Sequence, residues 1–269
     1  MSTSFDRAAA GAAAAIAITA ATFGISSSAS AATVAALQDG NKIAWIDTDA
    51  KKVTGSVTLA NGAKLVGIDV RPADGKLYGL TATGTIVTID AKTGKWERKS
   101  ELSEKLPTGA TFTVDFNPVA DRLRVIGSDG TSLRINVEDG KVIVDGGLRY
   151  ADGDASKGLA PKVTAGAYVN SFAGTKETTL YDIDMATSSL VRQAPPNDGI
   201  LNTIGSLGMK VSGPVAFDIV SDGKGGNAAW MVSGGTLYTV DLATGAAKSQ
   251  GKITGLSGAT IDMAVLPAM

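Results

Sequence analysis

The sequence predicts an all-β fold, a β-propeller of five four-stranded blades whose ring is closed by strands from the N- and C-terminal ends. Three observations lead there. A short motif recurs along the chain: an apolar strand ending in Asp or Asn, followed by a glycine-bearing turn. The recurring strands carry apolar residues on both faces, as Leu237, Tyr238 and Val240 do, which suits a sheet covered by neighbours on both sides. Each end of the chain holds an incomplete unit, and the two together complete one, which removes an open sheet edge.

Residues 1–31 read as a signal peptide that is cleaved on export. Arg7 is the base of a weak n-region, an alanine-rich apolar stretch covers 8–23, and Ala29-Ser30-Ala31 supplies an A-x-A cleavage pattern. Alanine is too weakly apolar for a membrane span, which takes about 20 strongly apolar residues. The remainder, 32–269, is expected to be a single domain, secreted or periplasmic, monomeric and without a membrane span. The sequence has no cysteine, so neither disulfides nor a lipid-modified cysteine contributes. Its 25 Lys+Arg and 26 Asp+Glu are scattered without a basic run, which argues against nucleic acid as a partner.

The units follow in order. Residues 33–37, 42–47 and 53–59 supply three strands, and 258–266 supply the inner strand they lack. Next, Gly67-Ile68-Asp69-Val70-Arg71-Pro72 leads through Asp74-Gly75 to Lys76-Leu77-Tyr78, and then to Thr85-Ile86-Val87-Thr88-Ile89-Asp90. The fullest unit has strands at 111–116, 122–126, 132–137 and 141–144, with turns at Asn117-Pro118, Asp129-Gly130 and Asp139-Gly140. The unit at about 162–208 is irregular: Thr179-Leu180-Tyr181-Asp182-Ile183-Asp184 resembles a third strand, yet its place after Tyr168 makes it a second. Ala216-Phe217-Asp218-Ile219 opens the last full unit. Asp69 and Asp115, like Asp218 and Asp262, stand about 45 residues apart, a propeller-blade period. A β-sandwich is the alternative architecture.

The runs 67–80 and 115–125, the segment Arg149-Tyr150-Ala151-Asp152-Gly153-Asp154, and Pro195-Pro196-Asn197-Asp198-Gly199 with Leu201-Asn202-Thr203-Ile204-Gly205 together resemble an exported bacterial family, domain of unknown function 4394. The resemblance covers nearly all of 32–269. It implies an exported, propeller-like protein and brings no catalytic residue with it.

The sequence contains no histidine and no cysteine. Ser-His-Asp and Cys-His nucleophile systems are therefore excluded, and zinc of the usual ligand set is disfavoured. No P-loop or dinucleotide fingerprint is present. Carboxylates remain. Asp69, Asp115, Asp218 and Asp262 fall at equivalent places on the innermost strands of four units, and Gly166-Ala167-Tyr168-Val169 puts Tyr168 in that slot in the fifth. Four such carboxylates near one axis would share a cation, calcium being the natural oxygen-liganded partner, or hold protons, or form a structural ring bonded to backbone N–H groups. Asp152-Gly153-Asp154 has the start of a calcium-loop pattern but also reads as a solvated turn. Tyr78, Tyr181, Tyr238, Trp45 and Trp230 are expected to fill space between blades, and Trp96, in a mixed-charge outer strand, to be exposed. The leading functional reading is a non-catalytic binding or scaffold propeller for a ligand of the cell envelope or the extracellular medium. The alternatives are a carboxylate-based extracellular glycoside hydrolase and a calcium-stabilised carbohydrate-binding propeller. Against the hydrolase stands the position of Glu97, Glu101, Glu104, Glu138 and Glu177 in outer strands or turns.

Overall fold

The protein is described by a computed structural model over residues 32–266, so the expected signal peptide, 1–31, lies outside the described residues. Short strands with tight glycine- and Asx-containing turns build five sheets. Blade 1 begins with β1 (Thr33–Gln38), β2 (Lys42–Asp47) and β3 (Lys52–Thr58). Blade 2 is β4 (Leu65–Val70), β5 (Leu77–Thr81), β6 (Thr85–Ile89) and β7 (Trp96–Glu101). Blade 3 is β8 (Phe112–Asn117), β9 (Arg122–Gly127), β10 (Ser132–Ile135) and β11 (Val142–Val144). A two-residue strand, β12 (Arg149–Tyr150), precedes blade 4, which is β13 (Val163–Tyr168), β14 (Leu180–Asp184), β15 (Ser189–Gln193) and β16 (Ile200–Ser206). Blade 5 is β17 (Val215–Ser221), β18 (Asn227–Ser233), β19 (Thr236–Val240) and β20 (Ala247–Lys252), and β21 (Thr260–Leu266) returns to blade 1.

The ring closes as the sequence predicts. β21 pairs antiparallel with β1, from Thr33 opposite Leu266 to Gln38 opposite Thr260, giving blade 1 the order β21-β1-β2-β3. The inner strands β21, β4, β8, β13 and β17 pack side by side in that order, and β17 meets β21 again. Leu180–Asp184 is the second strand of its blade, antiparallel to β13.

Blade 4 departs from four strands. β12 adds to its outer edge, pairing parallel with β16 at Arg149–Ile200 and Tyr150–Leu201. Two glycines permit the approach: a Cβ on Gly199 would overlap the Gly146 carbonyl, and one on Gly146 would lie 2.5 Å from the Asp198 carbonyl oxygen. Gly199 also adopts a φ of 68°, which favours glycine. The Asp152-Gly153-Asp154 turn serves this arrangement. The Asp154 carboxylate accepts the Thr203 N–H at 2.6 Å and its hydroxyl at 2.9 Å, tying the connection to β16.

The core is divided among the seams between blades, one apolar cluster to each. Tyr78 of blade 2 meets Phe116 of blade 3 edge to face, ring centroids 5.3 Å apart, and Trp230 of blade 5 packs with Met263 and Val34 of blade 1. Trp96 differs from expectation: it is half-buried against the seam between blades 1 and 2, with its Nε1–H donated to the Ala60 carbonyl at 2.9 Å.

Because Met263 faces one seam and Ala264 the next, β21 supports two of the five interfaces. Deleting residues 258–269 removes both contacts and bares β1. A single large core truncation costs about 2–5 kcal/mol, against a total stability of about 5–15 kcal/mol. The truncated chain is expected to lose its cooperative melting transition and to leave the monomer peak in size-exclusion chromatography. A soluble, monomeric, cooperatively melting product would show that the ring does not need its closing strand.

Candidate functional site

Asp69, Asp115, Asp218 and Asp262 lie on β4, β8, β17 and β21, and all four are buried. Each accepts a backbone N–H from the inner strand of the next blade around the ring. Asp262 takes it from Ile68 at 3.0 Å, Asp69 from Phe116 at 2.7 Å, Asp115 from Tyr168 at 3.0 Å, and Asp218 from Val265 at 2.6 Å. Asp69 and Asp218 also accept the N–H of the residue that follows each, Val70 and Ile219. The glycine of the Gly67-Ile68-Asp69 motif makes this geometry fit: a Cβ on Gly67 would stand 2.5 Å from Asp262 Oδ2. In the fifth inner strand, Tyr168 holds the corresponding place two residues after Gly166, and its hydroxyl accepts the Nε–H of Arg124 at 3.2 Å. The seam that lacks an inner-strand aspartate, between β13 and β17, is joined instead by Asn170 and Asn227, which exchange hydrogen bonds of 2.8 and 3.0 Å.

Three of the four carboxylates converge. Asp69, Asp115 and Asp218 each offer an oxygen within 4.8 Å of the others. β17 is not a neighbour of β4 or β8 in the ring, so these groups meet across the axis. Asp262 stands outside that triad, directed to Ile68. Burial raises the pKa of every member: Asp218 to about 6, and Asp69, Asp115 and Asp262 well above the ordinary carboxylate range. Repulsion from Asp218 adds to the rise at Asp69, and repulsion from Asp69 and Asp218 adds at Asp115. Backbone N–H bonds pull the other way and are outweighed. Three carboxyl groups this close cannot all ionise cheaply, so the cluster favours keeping protons to higher pH than free carboxylates do.

Sequence reasoning missed a second polar cluster, in the seam between blades 3 and 4. Arg124 is almost fully buried. Its guanidinium donates to Tyr168 Oη, Ser132 Oγ (3.1 Å), Asp145 Oδ2 (2.5 Å) and Asn197 Oδ1 (2.8 Å), so it ties four segments together. Asp182, opposite Gly166, is fully buried, and neither of its oxygens has a hydrogen-bond partner. Burial raises its pKa to about 8, partly offset by Arg124, which keeps it protonated at neutral pH. Farther along, Asp184 accepts the hydroxyls of Tyr150 and Thr187 and the Lys162 N–H, clamping β12 to its blade. The sequence carries little signal for them: Arg124 shares its strand face with Arg122, and Asp182 with Asp184, so neither stands out as a lone charge.

The mouth of that same seam opens into a cavity of about 430 Å³. Asn117, Val119 and Ala120 of the β8–β9 turn form one wall; Lys176, Glu177, Thr178 and Thr179 of the β13–β14 connection form another. Arg192, Gln193 and Pro196 complete it, with Tyr168 beneath. None of the four ring aspartates lines it. Glu177 is its one carboxylate, so a pair of acidic groups flanking a bond is missing from its wall.

Comparison with known proteins places this architecture. A family model described as Domain of unknown function (DUF4394) matches residues 42–264. No curated protein matches the chain. Among solved structures, a structural genomics protein of unknown function from Bacteroides thetaiotaomicron is 16% identical, with a TM-score of 0.53, covering 88% of this chain and 67% of that one. A protein of unknown function from Bacteroides caccae is 17% identical, with a TM-score of 0.44 and coverage of 82% and 73%. An auxiliary nutrient binding protein from Bacteroides thetaiotaomicron is 16% identical, TM-score 0.45, covering 72% of this chain and 51% of that one. At these identities the first likeness supports the propeller fold alone.

The raised carboxyl pKa values carry a sign. A group whose folded pKa lies above its unfolded value of about 4 stabilises the fold below that pH and loses the contribution as pH rises through the folded pKa. For Asp218 the loss runs from about pH 4 through about 6, and for Asp69 and Asp115 it continues upward. The melting temperature is therefore expected to fall from pH 5 to pH 8. Asp115→Asn keeps an oxygen for the Tyr168 N–H and turns an amide N–H toward Asp69 and Asp218. It should flatten that fall and melt above the wild type at pH 8, by about 2–4 °C for each kcal/mol of repulsion removed. Parallel melting curves for the two proteins across this range would show that the carboxyls do not share protons.

Proposed function

This chain belongs to the family described as domain of unknown function DUF4394, and we propose that it is a non-catalytic, exported binding propeller that takes a small ligand at the mouth of the seam between blades 3 and 4. One observation carries the reading. The four ring aspartates are closed away at the axis and bonded to backbone amides of neighbouring blades, while a cavity open to a ligand lies elsewhere and holds one carboxylate. A glycoside hydrolase needs two carboxyl groups about 5–10 Å apart across an accessible bond. The triad Asp69, Asp115 and Asp218 is buried, with oxygens within 4.8 Å of one another and no room for a bond between them, and the cavity has access without a second acid. Among the described residues no helix is long and apolar enough to cross a membrane, in keeping with a ligand met in solution or at a surface.

The ring aspartates are assigned a structural role. Calcium takes about 6–8 oxygen ligands, whereas both oxygens of Asp69 and of Asp218 already accept backbone N–H bonds. The melting temperature is expected to be the same in chelator and in millimolar calcium; a rise of several degrees with calcium would instead assign a shared cation to the axis.

Two measurements test the functional reading. Incubation with 4-nitrophenyl glycosides of neutral and acidic sugars should release no nitrophenol, and a panel of envelope-derived and nutrient-type small molecules should contain some that raise the melting temperature and are recovered intact. Release of nitrophenol that disappears in Asp69→Asn or Asp218→Asn would make the protein a hydrolase. For export, protein recovered from the periplasm or culture fluid should have the intact mass of a chain beginning at Ala32; a mass that includes residues 1–31 would overturn it.

A further inference from the structure

We propose that the cavity between blades 3 and 4 binds a small polyhydroxy carboxylate, of the size of a sugar acid, with Arg192 taking the carboxylate. The proposal rests on the binding reading above and names its ligand class.

The first support is place. The cavity sits where the repeat is broken. The inner-to-second-strand connection is short in the other blades, 71–76, 118–121 and 222–226, whereas in blade 4 it runs from 169 to 179. Three blades make this joint with less chain, so the extra residues answer to something other than closing the ring. They form a wall of the cavity through Lys176, Glu177 and Thr179.

Charge is the second. Arg71, Arg98, Lys99, Arg124 and Arg134 are all held in ion pairs. Arg192 and Lys176 have no ion-pair partner among the described residues, a state they share with Arg122, Arg149 and many surface lysines, and what sets them apart is that both stand exposed on the wall of one cavity. A guanidinium presents a planar fork that matches a carboxylate with two parallel N–H···O bonds, and an ammonium beside it adds a second positive charge. Glu177 on the same wall limits the negative charge the cavity tolerates, which favours a monoanion over a dianion.

The third is the neutral chemistry of the wall. Thr179 Oγ1 makes no hydrogen bond among the described residues, and Gln193, whose Nε2–H is donated to the Pro196 carbonyl at 2.5 Å, keeps an Oε1 without a partner. Val119 and Pro196 offer apolar surface against which C–H groups of a compact polyol can rest. A bare inorganic anion would leave most of about 430 Å³ to water. An uncharged sugar would leave two cations, Arg192 and Lys176, facing the single carboxylate of Glu177.

Isothermal titration of the purified protein at low salt tests this with sodium D-glucuronate, D-glucose, sodium acetate and polygalacturonate. D-glucuronate is expected to bind at least tenfold more tightly than either D-glucose, which lacks the carboxylate, or acetate, which lacks the polyol. Arg192→Gln should weaken glucuronate at least tenfold, and Glu177→Gln should tighten it about two- to fivefold, each with an unliganded melting temperature within a few degrees of wild type. Val119→Trp, at an exposed turn position, should fill the cavity and abolish binding. Polygalacturonate binding with free glucuronate silent, and lost in Arg192→Gln, would assign the same chemistry to the end of an acidic polymer. If glucose and glucuronate bind alike and both are lost in Val119→Trp, the carboxylate ligand is overturned while the binding reading stands. If no probe binds, or if binding is indifferent to Val119→Trp, the proposal is overturned and the binding reading passes to the wider ligand panel.

Discussion

The innermost strand of a propeller blade has a sheet neighbour on one side only, yet it lies in the most buried part of the molecule. β4 pairs with β5 alone, β8 with β9, β17 with β18. Half of the N–H groups on such a strand point away from their own sheet, and in a dry interior each would go unpaired at a cost of about 1–3 kcal/mol. The aspartates answer that constraint. Ile68, Phe116, Tyr168 and Val265 each donate such an N–H to the carboxylate of the preceding blade. An aspartate is short enough to stay on its own strand and reach the next one. Its carboxylate has lone pairs for two donors, which Asp69 and Asp218 both use. The ring is thus joined twice over, by apolar clusters in the seams and by carboxylate-to-amide bonds along the inner edge.

This constraint explains what could be read in the sequence. A structural need repeated in each blade leaves a repeated residue, so Asp69, Asp115, Asp218 and Asp262 stand out at a steady period, as do the split first blade and its closing strand. Gly67 carries the same signal, because the neighbouring carboxylate sits where its side chain would be. What was not legible is what occurs once. Nothing periodic marks Arg124 or Asp182, whose roles depend on two blades meeting. β12 spans two residues and pairs in parallel, too little to show as an apolar alternation. The convergence of three carboxylates rather than four depends on the lean of each side chain in three dimensions, which strand spacing does not encode. Trp96 was misjudged because its neighbours Lys95 and Glu97 are charged, while its own indole reaches over to Ala60 in another turn.

The same constraint has an electrostatic consequence. Carboxylates that satisfy the inner edges must point inward, and in a ring of five blades inward means toward one another. Burial and mutual repulsion then raise their pKa values together. The raised pKa values are the by-product of an arrangement that serves hydrogen bonding. The exposed carboxylates of the turns go the other way: Asp90 and Asp222 are held below their usual range by backbone N–H bonds.

Where a fold meets its structural needs by repetition, a departure from the repeat is the place to look for something else. Blade 4 departs in several respects at once: a tyrosine in the aspartate slot, a long connection at 169–179, a fifth strand, and a buried arginine, Arg124 of blade 3, packed against it in their shared seam. These are not independent accidents. Tyr168 in the slot gives Arg124 an acceptor. Arg124 then fixes Asn197 in the β15–β16 connection and Asp145 ahead of β12, and that rigid frame supports the walls on which Arg192 and Lys176 stand. The apolar packing of this seam, Val163, Val191 and Leu201 among it, gives way at the mouth to the polar side chains that line the cavity. The buried pair of Arg124 and Asp145 is a poor source of stability relative to apolar packing, so its place in the seam that carries the cavity is best understood as the support of a polar opening.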